Sequence, residues 1–316
     1  MRVMVIGATG AIGTPLVRQL LERGHDVIGT SRSSSKFEEL RALGAEPLVL
    51  DALGAQAVRD ALVRTQPDAV IYEATALADV SDFKHFDRSF AQTNRLRTEG
   101  IDILLAAARE ANVRRIVAQS YGAYRYQRKG GPVKTEDEPL DTPPAAMRET
   151  FAAMAHLDKA VTDAGGIALR YGLFYGAPGD RMGSLVRAGK FPIIGNGAGV
   201  VSLIHVEDAA AATVLALERD GPTIYNIVDD DPVPSRVWLT ELAKIVGAKP
   251  PPRYPAFVAR LLVGEPFVVM LTESRGASNV KAKRELGWTL KYPSWRQGFV
   301  AAYGHDGSRT VQVSKR

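Results

Sequence analysis

Three glycines near the amino terminus have the spacing of a loop that binds phosphate groups. Gly7, Gly10 and Gly13 lie in the segment GATGAIG, which directly follows the apolar run 3–6 and precedes a helical pattern. Glycine lets the backbone turn sharply and approach a pyrophosphate, and the N-terminus of the next helix offers free N–H groups and a positive dipole. The position of the triplet at a strand-to-helix junction favours a dinucleotide-binding site over a merely glycine-rich turn.

The residues at the end of the second predicted strand indicate which dinucleotide would bind. A site for NAD places a carboxylate on the ribose 2′-hydroxyl about 20 residues after the glycine loop. This chain has Gly29-Thr30-Ser31-Arg32-Ser33 there, without an acid. The Arg32 guanidinium and the hydroxyls of Ser31 and Ser33 suit a 2′-phosphate, so the sequence predicts NADP as the cofactor. The alternative is that Arg32 is a solvated loop charge.

Two acids follow later predicted strands. Asp51, after the third strand, is placed to accept a hydrogen bond from an adenine amino group, or else it caps the next helix. Glu73 directly follows the fourth strand, where a carboxylate would repel cofactor phosphates unless it faced solvent or substrate. The sequence leaves the role of Glu73 open.

The elements that would position these residues alternate between short β-rich runs and longer helical patterns, as in βαβ units of a parallel sheet. Strands are predicted at 3–6, 26–29, 46–50, 69–72, 115–118, 166–169 and 223–227. Helices are predicted near 12–23, 36–43, 54–65, 90–111, 148–164, 207–218 and 235–246. This repetition predicts an α/β protein with a doubly wound parallel sheet, the Rossmann fold.

The second half of the chain has a different pattern and is predicted to form a smaller domain. Residues 1–170 would form the dinucleotide-binding domain and 171–316 mainly a substrate-binding domain, with the strand near 223–227 completing the first sheet. The Pro-, Gly- and charge-rich stretch 129–144 is predicted to be a long surface loop. The last residues, GHDGSRTVQVSKR, have few apolar anchors and are predicted to fray.

The composition excludes several classes of protein. The 316 residues are 46% hydrophobic and 24% charged, which is typical of a folded globular protein. The absence of cysteine excludes disulfides, thiolate nucleophiles and sulfur-bound metals, so redox chemistry would need a bound organic cofactor. A net charge of +5, spread along the chain, argues against nucleic acid as a partner. Since no apolar stretch reaches about 20 residues, we expect no membrane span and a cytoplasmic rather than a secreted protein.

Together these features resemble the extended short-chain dehydrogenase/reductases, also called the NAD-dependent epimerase/dehydratase family. The likeness covers nearly the whole chain and rests on GATGAIG at 7–13, Asp51, Thr93-Asn94, LLAAARE at 104–110, LRYGLFYGAPGD at 169–180, IHVEDAA at 204–210, IYNIVDD at 224–230 and KAKRELGW at 281–288. It implies a dinucleotide lying across the carboxyl edge of the sheet, and often a homodimer formed through helices. The glycine loop, the turn after the second strand and this resemblance together predict the cofactor contacts, which are Gly7, Thr9, Gly10, Ala11, Ile12, Gly13, Ser31, Arg32, Ser33, Asp51 and Ala52. The resemblance also implies that Ala74 and Tyr171 lie near the nicotinamide half.

Members of this family usually catalyse with a Ser or Thr after the fifth strand and a Tyr-x-x-x-Lys on the next helix. The tyrosine exchanges a proton with the substrate oxygen, and the lysine lowers the pKa of that tyrosine and holds the nicotinamide ribose. This chain lacks the pair. If Lys159 is the lysine, the tyrosine position holds Ala155. If Asp158 sets the register instead, the two positions hold Thr150 and Met154.

The segment after the fifth strand supplies the remaining candidates for catalysis, Ser120 and Tyr121. Tyr121 falls at or next to the usual serine, so its phenol would serve as proton donor while Ser120 hydrogen-bonds the substrate oxygen. The alternative is that Tyr121 and Tyr124 are half-buried packing residues. The His, Asp and Glu residues show no spacing typical of a metal site.

We therefore expect an NADP-dependent oxidoreductase that moves a hydride between nicotinamide and a carbonyl or alcohol of a small organic molecule. Two alternatives stay open. One is a sugar-nucleotide epimerase or dehydratase, which regenerates its bound cofactor within each cycle. The other is a catalytically silent protein that senses NADP(H), because a fold alone does not determine a function.

Overall fold

The structure is a computed structural model that describes residues 1–77, 82–122 and 125–304. Tyr124 and residues 305–316, for which the sequence predicted packing and fraying, lie outside the described residues. The described chain forms a layered α/β part around a large sheet, and a smaller lobe built mainly from residues after 171.

A parallel sheet of seven strands forms the centre of the described part of the chain. Its strands are β1 (Arg2–Ile6), β2 (Asp26–Ser31), β3 (Glu46–Val49), β4 (Ala69–Tyr72), β5 (Arg115–Tyr121), β6 (Ile167–Tyr171) and β7 (Thr223–Ile227). They lie in the order β7-β6-β5-β4-β1-β2-β3, and every neighbouring pair is parallel. The direction of winding reverses between β1 and β4, which is where doubly wound sheets bind ligands. The predicted fold class is confirmed.

Helices cover both faces of this sheet. The helices of the described chain, several of which belong to the smaller lobe, are α1 (Gly13–Glu22), α2 (Phe37–Leu43), α3 (Ala55–Thr65), α4 (Phe86–Arg95), α5 (Ile101–Glu110), α6 (Arg148–Asp163), α7 (Met182–Arg187), α8 (Val206–Leu217), α9 (Ser235–Ile245), α10 (Ala256–Val263), α11 (Glu265–Thr272), α12 (Val280–Leu286) and α13 (Trp295–Tyr303). Val3 and Val5 of β1 pack toward α1 and α8, whereas Met4 and Ile6 pack toward α3, α5 and α6. This alternation explains why β1 is apolar throughout. Within the described ranges, no helix is long and apolar enough to cross a membrane.

The helix predicted at 90–111 differs from the structure in its start and in its continuity. It begins at Phe86 and is interrupted by a π-helical turn, Leu96–Gly100, between α4 and α5. The Tyr72 hydroxyl donates to the Leu96 carbonyl oxygen at 2.8 Å, and Gly100 has no side chain to fill the space that this hydroxyl occupies. A contact with β4 therefore accompanies the interruption, and the local sequence pattern does not reveal it.

The stretch predicted as a surface loop at 129–144 is partly built into the fold. Val133–Lys134 pairs with Gly276–Ala277, and the Lys134 side chain is buried. Further short strands lie at Leu173–Tyr175, Ile193–Ile194, Val200–Val201, Leu203–His205, Val233–Pro234 and Arg253–Tyr254. The smaller lobe has its own core, which includes Tyr175, Trp238, Trp295 and Phe299. The strand β7 leaves this lobe and pairs with β6.

Candidate functional site

The glycine loop connects β1 to α1 at the carboxyl edge of the sheet. Gly7 has a φ of +98°, and a Cβ atom there would lie 2.8 Å from the carbonyl carbon of Glu73. A Cβ atom on Gly13 would lie 2.5 Å from the carbonyl carbon of Ala8 and would overlap the Gly7 oxygen. The loop packs so closely on itself and on the end of β4 that a side chain at either glycine would force it to move.

The rest of this loop presents mainly backbone to the outside. Gly10 and Ala11 are exposed, Thr9 is half-buried, and the Ile12 side chain is buried in the core beside α1. The Gly10 N–H donates to the Gly7 carbonyl oxygen at 3.0 Å, and α1 begins immediately after Ile12. A cradle of bare backbone at a helix N-terminus fits the pyrophosphate of a dinucleotide.

The turn that follows β2 presents Arg32 to solvent. The Ser31 hydroxyl accepts from the Ser33 N–H at 3.4 Å, and the Ser33 hydroxyl accepts from the Ser35 N–H at 3.2 Å, so both predicted serines shape the turn. Arg32 is exposed, and its guanidinium forms no ion pair with any residue that the structure describes. Because β2 pairs with β1, the turn and the glycine loop lie side by side at one edge of the sheet.

The other predicted cofactor contacts follow β3 and β4. The Asp51 carboxylate is exposed and accepts from the Leu53 N–H at 3.0 Å, so it caps a turn, while the helix α3 itself begins after Gly54. Ala52 is buried beside it, and Ala74 is half-buried after the end of β4. The sheet thus brings these residues to the same edge as the glycine loop and Arg32.

Ser120 is buried rather than open to a substrate. Its side chain is 0% exposed, and its hydroxyl donates to the Asp158 carboxylate. The same oxygen accepts from Arg125 Nη1 at 3.2 Å. Since the one hydroxyl proton is used inside the protein, this geometry does not support the predicted contact between Ser120 and a substrate oxygen.

Asp158 lies between two buried arginines. Its Oδ2 accepts from Arg125 Nη1 and from Arg170 Nε, each at 3.0 Å. Arg125 also donates to the Tyr121 carbonyl oxygen at 3.0 Å, and Arg170 donates to the Tyr126 hydroxyl at 3.2 Å. We call Ser120, Arg125, Asp158 and Arg170 the Asp158 cluster. It ties α6 to the end of β5. The sequence predicts no such role for Asp158, because its partners lie 12 to 38 residues away in the chain.

Tyr121 ends β5 and is half-buried against an apolar wall. This wall consists of Phe86, Phe90, Met147, Phe151, Met154 and Met270. The rings of Phe86 and Phe90 stack with their centroids 4.1 Å apart. Of the two predicted catalytic residues, Tyr121 therefore has the surroundings that suit an apolar organic molecule.

Comparison with known proteins identifies the family of this chain. The sequence profile of the NAD dependent epimerase/dehydratase family matches residues 3–228. The chain belongs to this family. A 3-diazoavenalumate denitrifying reductase from a Streptomyces species is 42% identical over 308 residues, which cover 94% of this chain and 99% of the relative. A 2-alkyl-3-oxoalkanoate reductase from Stenotrophomonas maltophilia is 29% identical, covering 78% of this chain and 76% of the relative.

Solved structures of other proteins have the same fold as this chain. The UDP-glucose 4-epimerase of Thermus thermophilus is 24% identical and superposes with a TM-score of 0.75 over 96% of this chain and 98% of the epimerase. The resemblance that the sequence motifs indicated is confirmed at the level of the family.

The structure decides which register of α6 faces the sheet. Ala155 and Lys159 are exposed, and the Lys159 ammonium bonds an exposed aspartate four residues later. Thr150, Met154 and Asp158 are buried on the opposite side of the helix. Of the two registers that the sequence allows, the one with Thr150 and Met154 therefore faces the interior of the fold.

The hydroxyl of Thr150 is poorly placed to act as a proton donor to a substrate. Its hydroxyl donates to Asp87 Oδ1 at 2.7 Å and accepts from Asn94 Nδ2 at 3.0 Å. The Thr150 N–H also donates to Asp87, at 2.9 Å, so this carboxylate stabilises the start of α6. The hydroxyl proton is held by a carboxylate, and Met154 brings no positive charge to replace the lysine.

Tyr171 and Glu73 meet in the core between the sheet and α8. The Tyr171 side chain is 0% exposed, and its hydroxyl lies 3.0 Å from Glu73 Oε1 and 2.6 Å from Thr213 Oγ1. This burial does not support a cofactor contact through the Tyr171 phenol. Glu73 faces neither solvent nor a substrate, which are the two orientations that sequence reasoning considered.

Proposed function

We propose that this member of the epimerase/dehydratase family is an NADPH-dependent reductase of a small organic molecule. The observation that carries the proposal is the backbone cradle at Gly7 and Gly13, next to the exposed guanidinium of Arg32. The cradle would hold the pyrophosphate, and Arg32 would hold the 2′-phosphate. The bound nicotinamide supplies a hydride, while the protein binds, orients and supplies any proton. The other residues that would line the cofactor are Thr9, Gly10, Ala11, Ile12, Ser31, Ser33, Asp51, Ala52 and Ala74.

The relatives support reductase chemistry. Both curated relatives described above are reductases, and one of them is 42% identical over 94% of this chain. They favour an NAD(P)-dependent oxidoreductase with a small-molecule substrate over the silent sensor. Thr150 and Met154, in place of the usual tyrosine and lysine, argue against the sugar-nucleotide epimerase. A cytoplasmic location and a homodimer stay predictions.

Replacing Arg32 by alanine tests the choice of NADPH. We expect NADPH binding to weaken by about 10- to 100-fold, because a hydrogen bond to a charged group contributes about 1.5–3 kcal/mol. NADH, which lacks the 2′-phosphate, should bind the variant and the parent equally well. Titration calorimetry with both cofactors measures this difference. Arg41→Ala is the matched control, since Arg41 is exposed and pairs with Glu38. Equal weakening for both cofactors would contradict the assignment.

Which hydride acceptor the protein can use depends on whether a side chain can donate a proton to the substrate. Reduction of a carbonyl leaves a negative oxygen, which must take a proton. The hydroxyl protons of Ser120 and Thr150 are donated to the carboxylates of Asp158 and Asp87. Tyr121, which lies beside the apolar wall, is our candidate for this donor. A ketone held against the apolar wall, with its oxygen toward the Tyr121 phenol, is the first candidate substrate.

An arenediazonium ion is the second candidate substrate, because its reduction needs no proton. The hydride forms a C–H bond, the C–N bond breaks, and its electron pair leaves with dinitrogen, so the cation becomes a neutral arene. NADPH is oxidised to NADP⁺ in the same step. The loss of both the tyrosine and the lysine at Thr150 and Met154 favours such an acceptor. The name of the Streptomyces relative, a denitrifying reductase of a diazo compound, supports it as well.

The variant Tyr121→Phe distinguishes the two acceptors. With an aryl ketone, we expect turnover to fall about 100-fold or more, as is typical when a positioned proton donor is removed. With an arenediazonium salt of the same ring, turnover should be unchanged. NADPH consumption measures both reactions, after the rate without protein is subtracted. Tyr254→Phe, at an exposed position of a short strand, is the matched control.

The same assay separates the alternatives to a reductase. Tight NADPH binding without turnover of either acceptor would favour the sensor. Conversion of a sugar nucleotide without added cofactor would favour the epimerase. Full ketone turnover in Tyr121→Phe would show that Tyr121 is not the proton donor.

A further inference from the structure

The helix α10 of the smaller lobe has apolar residues on its outward side as well as on the side that packs against the protein. Seven of its eight residues are apolar, and the exception is Arg260. Ala256, Ala259 and Val263 pack with α11 in a small core. A helix at the surface of a water-soluble protein keeps a polar face toward solvent, whereas one that is apolar all round is normally buried. The composition of α10 therefore indicates a second apolar environment for its outward side.

The outward side of α10 consists of Phe257, Leu261 and Leu262, which we call the α10 face. Their exposed fractions are 68%, 73% and 65%, the three largest among the large apolar residues that the structure describes. Phe257 and Leu261 are four residues apart and are therefore neighbours on the helix surface. Tyr254, which is also exposed, precedes the helix. A contiguous exposed apolar patch beside charged residues is typical of an interaction site.

A cation adjoins each end of the α10 face. Lys84 Nζ donates to the Leu261 carbonyl oxygen at 3.3 Å, near the end of the helix. Arg253 lies three residues before the start of the helix. Both side chains are exposed, and neither forms an ion pair with any residue that the structure describes. These two positive charges are therefore available to a partner.

The acids that adjoin the α10 face are paired with other cations. Glu265 lies 2.6 Å from Arg260, the charged residue of α10 itself. Asp82, two residues before Lys84, lies 3.6 Å from Arg88. The surroundings of the α10 face thus have an excess of positive charge, which is complementary to an anionic surface.

We propose that the α10 face docks this protein on the surface of a bilayer that contains anionic lipid. The apolar side chains of the face would enter the boundary between headgroups and acyl chains, and Lys84 and Arg253 would contact lipid phosphates. Binding of an interfacial helix increases with its buried apolar area and with the attraction of its cations to anionic lipid. Such a peripheral contact needs no helix that crosses the membrane. The proposal does not depend on the proposed reductase function.

The size and the charge of the α10 face favour a lipid surface over a second copy of the chain. Its three side chains expose on the order of 400 Å², whereas each partner of a standard protein interface buries about 800 Å². If two copies packed this face together about a two-fold axis, Lys84 and Arg253 of both copies would be brought to one interface. Like charges that meet in this way oppose association.

The helical hairpin that carries the α10 face also contacts the apolar wall beside Tyr121. Met270 of α11 belongs to this wall. Phe267 of α11 contacts Phe83, with the ring centroids 5.4 Å apart. Docking through α10 would therefore hold the apolar wall on the side of the protein that faces lipid.

Co-sedimentation of the full chain with lipid vesicles measures this docking. The vesicles consist of phosphatidylcholine alone or of equal parts of phosphatidylcholine and phosphatidylserine. We expect the affinity for the vesicles with phosphatidylserine to be at least about 10-fold higher, because each basic residue near an anionic surface strengthens binding about 5-fold. Added salt should reduce this difference, since it screens exposed charges.

Substitutions on the α10 face test which residues bind the vesicles. Leu261→Gln and Phe257→Gln should each lower the affinity by about 10-fold or more, as expected when one large apolar side chain is no longer buried. Arg253→Gln should lower it about 5-fold, and only for vesicles with phosphatidylserine. The matched controls are Val63→Gln and Arg64→Gln, at exposed positions of α3, which should bind like the parent. Because all five side chains are exposed, the variants should keep the circular dichroism spectrum of the parent.

Several results would overturn the proposal. The α10 face would not be the docking surface if Leu261→Gln and Phe257→Gln sedimented like the parent, or if the parent bound neither type of vesicle. Equal binding of the parent to both types of vesicle would overturn the role of Lys84 and Arg253. A dimer in analytical ultracentrifugation that becomes a monomer in Leu261→Gln would assign the face to a second copy of the chain instead of lipid.

Discussion

Replacing Gly13 by alanine is expected to weaken NADPH binding by at least about 100-fold, which corresponds to about 3 kcal/mol. The new Cβ atom would lie 2.5 Å from the Ala8 carbonyl carbon and would overlap the Gly7 oxygen, so α1 must move away from the loop. The proposed site consists of backbone N–H groups and the helix N-terminus, and moving one against the other removes it. Titration calorimetry measures the affinity, and circular dichroism with thermal unfolding reports whether the variant folds.

A second variant keeps the prediction informative if Gly13→Ala does not fold. Gly10 is exposed. A Cβ atom there would lie 3.2 Å from the Gly7 oxygen, and no other atom of the described residues would lie within 4 Å of it. Gly10→Ala should therefore fold normally and still lose affinity, because its methyl group would project into the cradle. Gly131→Ala is the matched control, since a Cβ there would meet only the Val133 oxygen, at 3.9 Å, in the described chain. Parental affinity in both Gly13→Ala and Gly10→Ala would show that the loop is not the phosphate site.

Much of the sheet was predictable because most of its strands are short apolar runs, and central strands such as β4 are buried on both faces. The predicted strands at 69–72 and 223–227 coincide with β4 and β7. Periodicity in a single segment carries this information without any tertiary contact. The π-helical turn between α4 and α5 was not predictable, because it accompanies a contact with Tyr72, 24 residues away from Leu96.

The candidate site also contains features that the sequence predicts and features that it does not predict. The glycine loop and the turn at Arg32 are local features, so their residue types and spacing were sufficient to predict where they lie. The surroundings of Ser120 and Glu73 depend on partners that lie 38 and 98 residues later in the chain. A sequence shows that these residues are polar, but it does not show that their polar groups face each other in the core.

The Asp158 cluster connects the stability of the fold to the candidate reaction centre. Arg125, held by Asp158, donates to the carbonyl oxygen of Tyr121. The end of β5, and with it the phenol of Tyr121, is therefore positioned by one acid that compensates two buried cations. In an interior of low dielectric constant, the loss of that acid leaves both guanidinium groups without a neutralising charge.

The variant Asp158→Asn is accordingly expected to lower the free energy of unfolding by about 3–5 kcal/mol, as is typical when one partner of a buried ion pair is removed. The amide keeps the shape of the side chain, so the loss reports the missing charge rather than a cavity. Equilibrium unfolding in urea, followed by circular dichroism, measures it. Because Arg125 would no longer be held, we also expect slower turnover of any reduced substrate.

Asp163→Asn, at the end of the same helix, is the matched control. Asp163 is exposed and pairs with the exposed Lys159, so its loss should change the free energy of unfolding by no more than about 1 kcal/mol. Equal stability of the two variants would mean that Arg125 and Arg170 do not need the charge of Asp158. The end of β5 would then be held by packing and neutral hydrogen bonds, and the position of Tyr121 would not depend on the Asp158 cluster.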